Sequence, residues 1–303
     1  MKKTAKRKSL RQQDAQVGLL LLLPSLLIIL GITLQPILTT FYLSFFKTSL
    51  GNITPDIFVG LQNYTNLLTD PLFWQTIRRT LYFTLVSVGL ELVLGIAIAQ
   101  LIHSHPPGWK FLRTSLIIPW AVPTIVNATM WRWIYNADYG ALNGLLYNLG
   151  IIDKYIPWLT YPRTAMNLVI LADIWHSVPF IALILQAALA TLPAELEEAA
   201  AVDGANALKR FLFIRLPLLR SAILVALVIR TVEAFRVFDI IYVITNGGPA
   251  FGTVTVSFLT YLETFSYGNI GRGAAVSFLI SAFTLAMAFI YIRLLYRPEE
   301  AYE

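Results

Sequence analysis

Six stretches of mainly apolar sequence dominate this chain. They fall at residues 17–46, 80–102, 114–135, 165–192, 218–245 and 273–296. A helix needs about 20 such residues to cross a bilayer core, and each stretch meets that length. Composition agrees: 57% of the 303 residues are hydrophobic and 13% are charged, against about 25% charged in soluble proteins. A water-soluble chain could not hide this apolar surface behind so few charges, and disorder needs the opposite composition. The expected fold is all-α, a polytopic membrane protein with six transmembrane helices. A basic segment at residues 1–16 precedes a six-span domain at 17–303. The first stretch exceeds one simple span and holds Pro24, Gly31 and Pro36, so it is expected to tilt, kink or extend beyond the hydrocarbon. It reads as an uncleaved anchor: its apolar core is too long for a signal peptide, and no A-x-A-like site follows.

The charges report orientation. With the N-terminus inside, the inner face holds Lys2, Lys3, Lys6, Arg7, Lys8 and Arg11, then Lys110, Arg113, Lys209, Arg210, Arg215, Arg220, Arg293 and Arg297. The outer face holds Lys47, Arg78, Arg79, Lys154, Arg163 and Arg272. The excess of inner Lys and Arg puts both termini in the cytoplasm. The net charge of +6 is therefore a topology signal and not the mark of a nucleic-acid partner. The absence of cysteine rules out disulfides, Cys-ligated zinc, iron–sulfur clusters and thiol catalysis. Asn63-Tyr64-Thr65 matches the short N-glycosylation pattern, for which chance is the default reading.

One inner loop, residues 193–217, differs from the others. Pro193 suits a first helical turn, Glu195, Glu197 and Glu198 suit the positive end of a helix dipole, and a run of alanines favours helix. Gly204 can end or bend that helix. A second helix is expected over 206–214, with Pro217 opening span five. The product is a cytoplasmic helix pair. It is either a simple link between spans or a surface that docks into a partner's groove.

Charged groups inside spans face cavities or partners. Arg230, Glu233 and Arg236 share one helix face in span five, and Asp239 extends the row. Asp173, His176, Ser177 and Phe180 share a face in span four; Trp120, Thr124, Asn127 and Trp131 form a stripe in span three. These groups either meet a substrate or hold helices together. In the second case Arg230 to Asp239 form an ion-pair ladder and Asp173 pairs with His176.

The loop at 193–217 resembles the EAA loop of bacterial binding-protein-dependent ABC importer permeases. Glu198-Ala199-Ala200, Gly204 and Ile214-Arg215-Leu216-Pro217 fill every fixed position of that pattern. The chain is most similar to the MalF-type sugar permease subunits, those for maltose, trehalose and glycerol phosphate among them. Family-like stretches include Phe58 to Tyr64, Ile118-Pro119-Trp120-Ala121-Val122-Pro123, Phe238-Asp239 and Asn246-Gly247-Gly248-Pro249. The chain lacks the two extra N-terminal spans and large periplasmic domain of the maltose permease subunit, so it resembles the shorter six-span relatives.

The resemblance implies a type I ABC importer permease fold in the bacterial cytoplasmic (inner) membrane. It implies a coupling element of Glu198, Ala199, Ala200, Gly204, Ile214, Leu216 and Pro217 that inserts into an ATPase subunit. It places Trp120, Thr124, Asp173, His176, Ser177, Phe180, Glu233 and Arg236 at a sugar site. It makes Asn246, Gly247, Gly248 and Pro249 the contact for an extracytoplasmic sugar-binding protein. The implied partners are a second homologous permease, two ATPase subunits, that binding protein and membrane lipid. ATP and Mg would sit on the ATPase subunits. This chain has no G-x-x-x-x-G-K-[ST] phosphate cradle and no catalytic cluster, so it is expected to be a translocation subunit and not an enzyme. No metal site is expected; His103 and His105 read as interfacial polar residues. The expected substrate is a neutral di- or oligosaccharide or a glycosylated polyol. The alternatives are a glycerol phosphate permease, for which Arg230 and Arg236 leave room, and a stand-alone secondary transporter or channel.

Overall fold

The computed structural model describes residues 10–51 and 57–295; the basic start at residues 1–9 lies outside them. Helix α1 covers Leu10–Leu43. Residues 10–16, expected to belong to a separate basic segment, are therefore its first turns. None of its apolar window is buried by the rest of the chain, which suits a helix that lies in a bilayer. A short hairpin, β1 (Phe46–Lys47) against β2 (Ile57–Phe58), sets Phe46 opposite Phe58. Helix α2 is Gln62–Thr69. The Asn63 amide nitrogen donates to the carbonyls of Ser44 at 2.8 Å and Phe46 at 2.9 Å. This engages the nitrogen that glycosylation would modify, so Asn63 ties the hairpin to α2.

Helix α3, Pro71–His103, starts at Asp70, whose carboxylate accepts from the Leu72 amide at 2.8 Å. It has no internal proline. Span three is not straight: α4 (Trp109–Ala121) and α5 (Thr124–Ile134) meet at 96°. Pro123 has no amide hydrogen and pushes Val122 out of helical geometry; Val122 is extended, with ψ 128°. After α6 (Ala141–Asn148) comes α7, Pro162–Leu189. The segment after α7 forms α8 (Ala194–Val202) and α9 (Ala207–Leu218), and α9 meets α10 (Arg220–Phe235) at 66°. Pro217 therefore lies in the last turn of α9, on the near side of the bend in span five, and does not open the span as expected. Span five also ends early: Arg236 to Phe238 are irregular, and Asp239 opens a separate helix, α11 (Asp239–Ile244). Helices α12 (Val256–Tyr261) and α13 (Ile270–Leu295) are the last among the described residues.

Among the described residues, four helices are long and apolar enough to cross a membrane, and six crossings result if each bent pair forms one. The all-α class holds, with the small hairpin as an addition. The core lies where α3 packs along α7 and α10, and it is filled by Phe73, Phe83, Ile181 and Phe235. Gly95 permits this approach: a Cβ there would lie 2.6 Å from Ile181 Cγ2. Gly89 on the same helix has open space around it. Gly89→Ala should thus hold or raise the melting temperature in detergent, because alanine is the better helix former by about 1 kcal/mol. Gly95→Ala should lower it, since overpacking costs about 1–3 kcal/mol.

Candidate functional site

All eight side chains expected at a sugar site line one cavity of about 430 Å³. The break in span three places Trp120 and Thr124 on its wall. Helix α7 supplies Asp173, His176, Ser177 and Phe180, which its 3.6-residue period brings to one side. The end of α10 supplies Glu233, and the irregular residues after it supply Arg236. Trp120 and Phe180 stack on each other with centroids 6.0 Å apart at 29°. Their mutual stacking leaves no slot between them, so a flat ligand would meet only an open face. His176 Nε2 lies 3.0 Å from the Val122 carbonyl, a group the α4–α5 break leaves without a helical partner. For that bond the ring must carry its proton on Nε2.

Arg230 is the centre of a buried ionic cluster. Its Nε and Nη2 donate to both oxygens of Glu91 at 2.8 and 3.0 Å. Nη2 also reaches Asp173 at 3.2 Å, and Nη1 reaches Glu233 at 2.7 Å. The expected ladder is thus corrected: only the Arg230–Glu233 rung forms, and Arg236 and Asp239 line the cavity outside the cluster. The expected Asp173–His176 pair is corrected too, because Asp173 turns to Arg230 and His176 to the backbone. Glu91 was not anticipated. Its signal was a lone carboxylate inside an otherwise apolar stretch, residues 80–102. A second cavity of about 690 Å³ shares Val232, Arg236 and Phe238 with the first, and hydroxyls of Ser257, Thr260, Ser277 and Thr284 line it. No sequence argument pointed to it.

At the far end of α8 the chain makes a left-handed turn: Gly204 has φ +79°, and the Ala205 amide donates to the Ala200 carbonyl at 2.9 Å. The Asn206 side chain then caps α9 by accepting from the Lys209 amide at 2.9 Å. Glu198, Ala199, Gly204 and Pro217 are exposed, while Ala200, Ile214 and Leu216 are half-buried. Val202 and Phe213 are 89% and 75% exposed. The neighbouring acid Glu197 behaves differently: Arg215 donates to both its oxygens at 2.5 Å, and Arg215 Nη1 donates to Gln100 of α3 at 2.7 Å. Hydrogen bonding from Arg215 holds the Glu197 carboxyl below the ordinary carboxylate range. The pair's contribution is therefore complete above that ordinary range, and it fades as pH falls through the lowered value.

At the opposite end, Asn246 (φ +48°) and Gly247 (φ +78°) turn the chain after α11, followed by a cis Gly248–Pro249 peptide. Asn246 is exposed, Gly247 is buried, and Gly248 and Pro249 are half-buried. A Cβ on Gly247 would lie 2.7 Å from the Phe258 ring, so glycine is needed there both for space and for φ.

The profile of the family described as "Binding-protein-dependent transport system inner membrane component" matches residues 91–297. The chain is 39% identical over 284 residues to the trehalose/maltose transport system permease protein MalF of Thermococcus litoralis, covering 94% of this chain and 95% of that one. It is 36% identical to the sulfoquinovosyl glycerol transport system permease protein SmoG of Agrobacterium fabrum, covering 93% and 91%. It is 35% identical to the trehalose transport system permease protein SugA of Mycobacterium tuberculosis, covering 94% and 90%. Its fold is similar to that of a chain from a bacterial ABC transporter involved in the import of the acidic polysaccharide alginate, with TM-score 0.81, 20% identity, and 97% and 100% of the two chains covered. The chain is a multi-pass membrane protein, and it belongs to the family of inner membrane components of binding-protein-dependent transport systems.

Proposed function

We propose that this chain is one permease subunit of an ATP-driven importer for a neutral di- or oligosaccharide or a glycosylated polyol. The observation that carries this reading is the 430 Å³ cavity, where side chains from three spans converge. Carboxylates, a guanidinium, a serine and an imidazole suit sugar hydroxyls, and the open aromatic faces of Trp120 and Phe180 suit a ring. Sugar permeases among the relatives support the same class. Asp173, Glu233 and Asp239 outnumber Arg230 and Arg236 around the cavity, which disfavours a phosphorylated substrate.

The subunit works with a second permease, two ATPase subunits that bind ATP and Mg, and an extracytoplasmic sugar-binding protein. Both termini lie in the cytoplasm. The helix pair α8–α9 docks on an ATPase subunit through Glu198, Ala199 and the exposed Val202 and Phe213. The turn at Asn246 to Pro249 meets the binding protein. Nucleotide-driven closure of the ATPase pair alternates the cavity between the two sides.

The test is uptake by the reconstituted complex with sugars identified as ligands of the binding protein. Glu233→Gln and Arg236→Gln should each lower uptake or shift the sugar profile by about tenfold to a hundredfold, the range of hydrogen bonds to charged groups. Unchanged uptake and profile in both would remove their direct role. ATP-independent transport by this chain alone would overturn the whole reading in favour of a secondary transporter.

A further inference from the structure

Helix α3 is gripped at two points. At one, Gln100 accepts from Arg215, which also holds Glu197 of α8 with a bidentate pair. At the other, Glu91 holds Arg230, whose remaining donors fix Asp173 and Glu233 on the cavity wall. Gln100 and Glu91 are nine residues apart on one helix, a separation of about 13 Å along its axis. The hydrogen-bond ladder between them is unbroken, because the proline of α3 stands at its first position. Spans three and five, by contrast, are bent by 96° and 66°. A bent helix absorbs a push at its hinge; a continuous one passes it on. Gly95 lies between the two grips and seats Ile181 of α7 against α3, so the helix carrying Asp173 travels with it.

We propose that α3 is the lever through which the α8–α9 pair moves the cavity. Glu197, Arg215 and Gln100 are positioning residues at its driven end, and Glu91 is the positioning residue at its working end. This rests on the reading of the chain as an ATP-driven permease subunit. Coupling of this kind is carried by hydrogen-bond networks and rigid elements that have two discrete arrangements. Here that network runs from the docking surface to the carboxylates beside the substrate. Arg215 suits the driven end because one planar fork engages Glu197 and Gln100 together, which a single ammonium does less well.

The experiment uses the full complex, with second permease, ATPase subunits and binding protein, in proteoliposomes. Uptake per ATP hydrolysed is compared for wild type, Gln100→Leu and Gln100→Glu. Leucine removes the grip and leaves the Glu197–Arg215 pair in place; glutamate keeps the grip as an ion pair. Gln100→Leu should retain its ATPase subunits yet lose about tenfold in uptake per ATP, within the span of coupling between sites in one protein. Gln100→Glu should stay within about twofold of wild type. The cysteine-free sequence allows a second readout. A Ser177→Cys reporter should react with a thiol reagent at a rate that depends on nucleotide, and Gln100→Leu should abolish that dependence. The lever is overturned if Gln100→Leu matches wild type in both readouts, if both variants lose equally, or if Gln100→Leu sheds its ATPase subunits. In those cases a working wild-type complex leaves the permease reading standing. A wild-type complex without ATP-driven uptake overturns both.

Discussion

Replacing Arg230 with glutamine should cost about 3–5 kcal/mol of stability, the penalty for breaking a buried ion pair from one side. The size of the effect follows from Glu91. Its side chain is fully buried, with both oxygens on the Arg230 guanidinium. Removing that guanidinium leaves Glu91 without a counter-charge in a core bounded by lipid. Asp173 loses the same partner, and both carboxylates then repel each other. Glu91→Gln should be milder, because Arg230 still reaches Asp173 and the half-open Glu233. The double variant Glu91→Leu/Arg230→Leu should be more stable than Arg230→Gln alone, since it leaves Asp173 but not the fully buried Glu91 without its partner. The check is the unfolding midpoint in detergent, together with the amount of each variant recovered from membranes. Equal midpoints for Arg230→Gln and wild type would show that water or another cation satisfies Glu91. The double variant should nonetheless transport poorly, because Asp173 and Glu233 lose their common anchor.

The span count was legible because hydrocarbon thickness imposes a length that composition alone reveals. Span shape was less legible. Val122-Pro123 carries a local reason for the α4–α5 break, since proline restricts the residue before it. The break at Arg236 to Phe238 has no glycine or proline to announce it, so Asp239 read as the continuation of a helical row. Cavity residues of span four were legible as one helix face, and α7 keeps that face intact through Pro179. The ion pairs were not. Glu91 and Arg230 are 139 positions apart, and helix periodicity says nothing about which helix becomes the neighbour. Glu197 and Arg215 meet only because the chain folds back at Gly204, so their partnership depends on an angle that residue spacing does not encode. The EAA pattern marked Glu198; the structure divides the labour, with Glu198 facing outward and Glu197 bound within the chain.

That division makes the turn at Gly204 the position where one substitution should do most to transport while leaving the protein in the membrane. Gly204 has φ +79°, a region that a β-branched residue enters at a cost of about 1–3 kcal/mol. Space is not the limit, because a Cβ there would meet nothing within 4 Å; the obstacle is the backbone alone. Gly204→Val should therefore reset the angle between α8 and α9, and with it the spacing of the exposed Val202, Glu198 and Phe213 on the proposed docking face. The same change pulls Glu197 from Arg215 and slackens the grip on Gln100. ATP-driven uptake should be lost, with the chain still present in membranes at near wild-type amount. Gly204→Asn is the control, because asparagine tolerates left-handed backbone far better than other side chains; it should keep most of the uptake. Glu198→Lys, added to a normal turn, should also abolish uptake if the exposed acid meets an ATPase subunit as proposed, because a cation then stands in its place. The measurement is uptake normalised to membrane-inserted protein. Full uptake by Gly204→Val would mean that the turn geometry is not what the ATPase subunit reads. Equal loss in Gly204→Val and Gly204→Asn would place the requirement in the missing side chain instead of in φ.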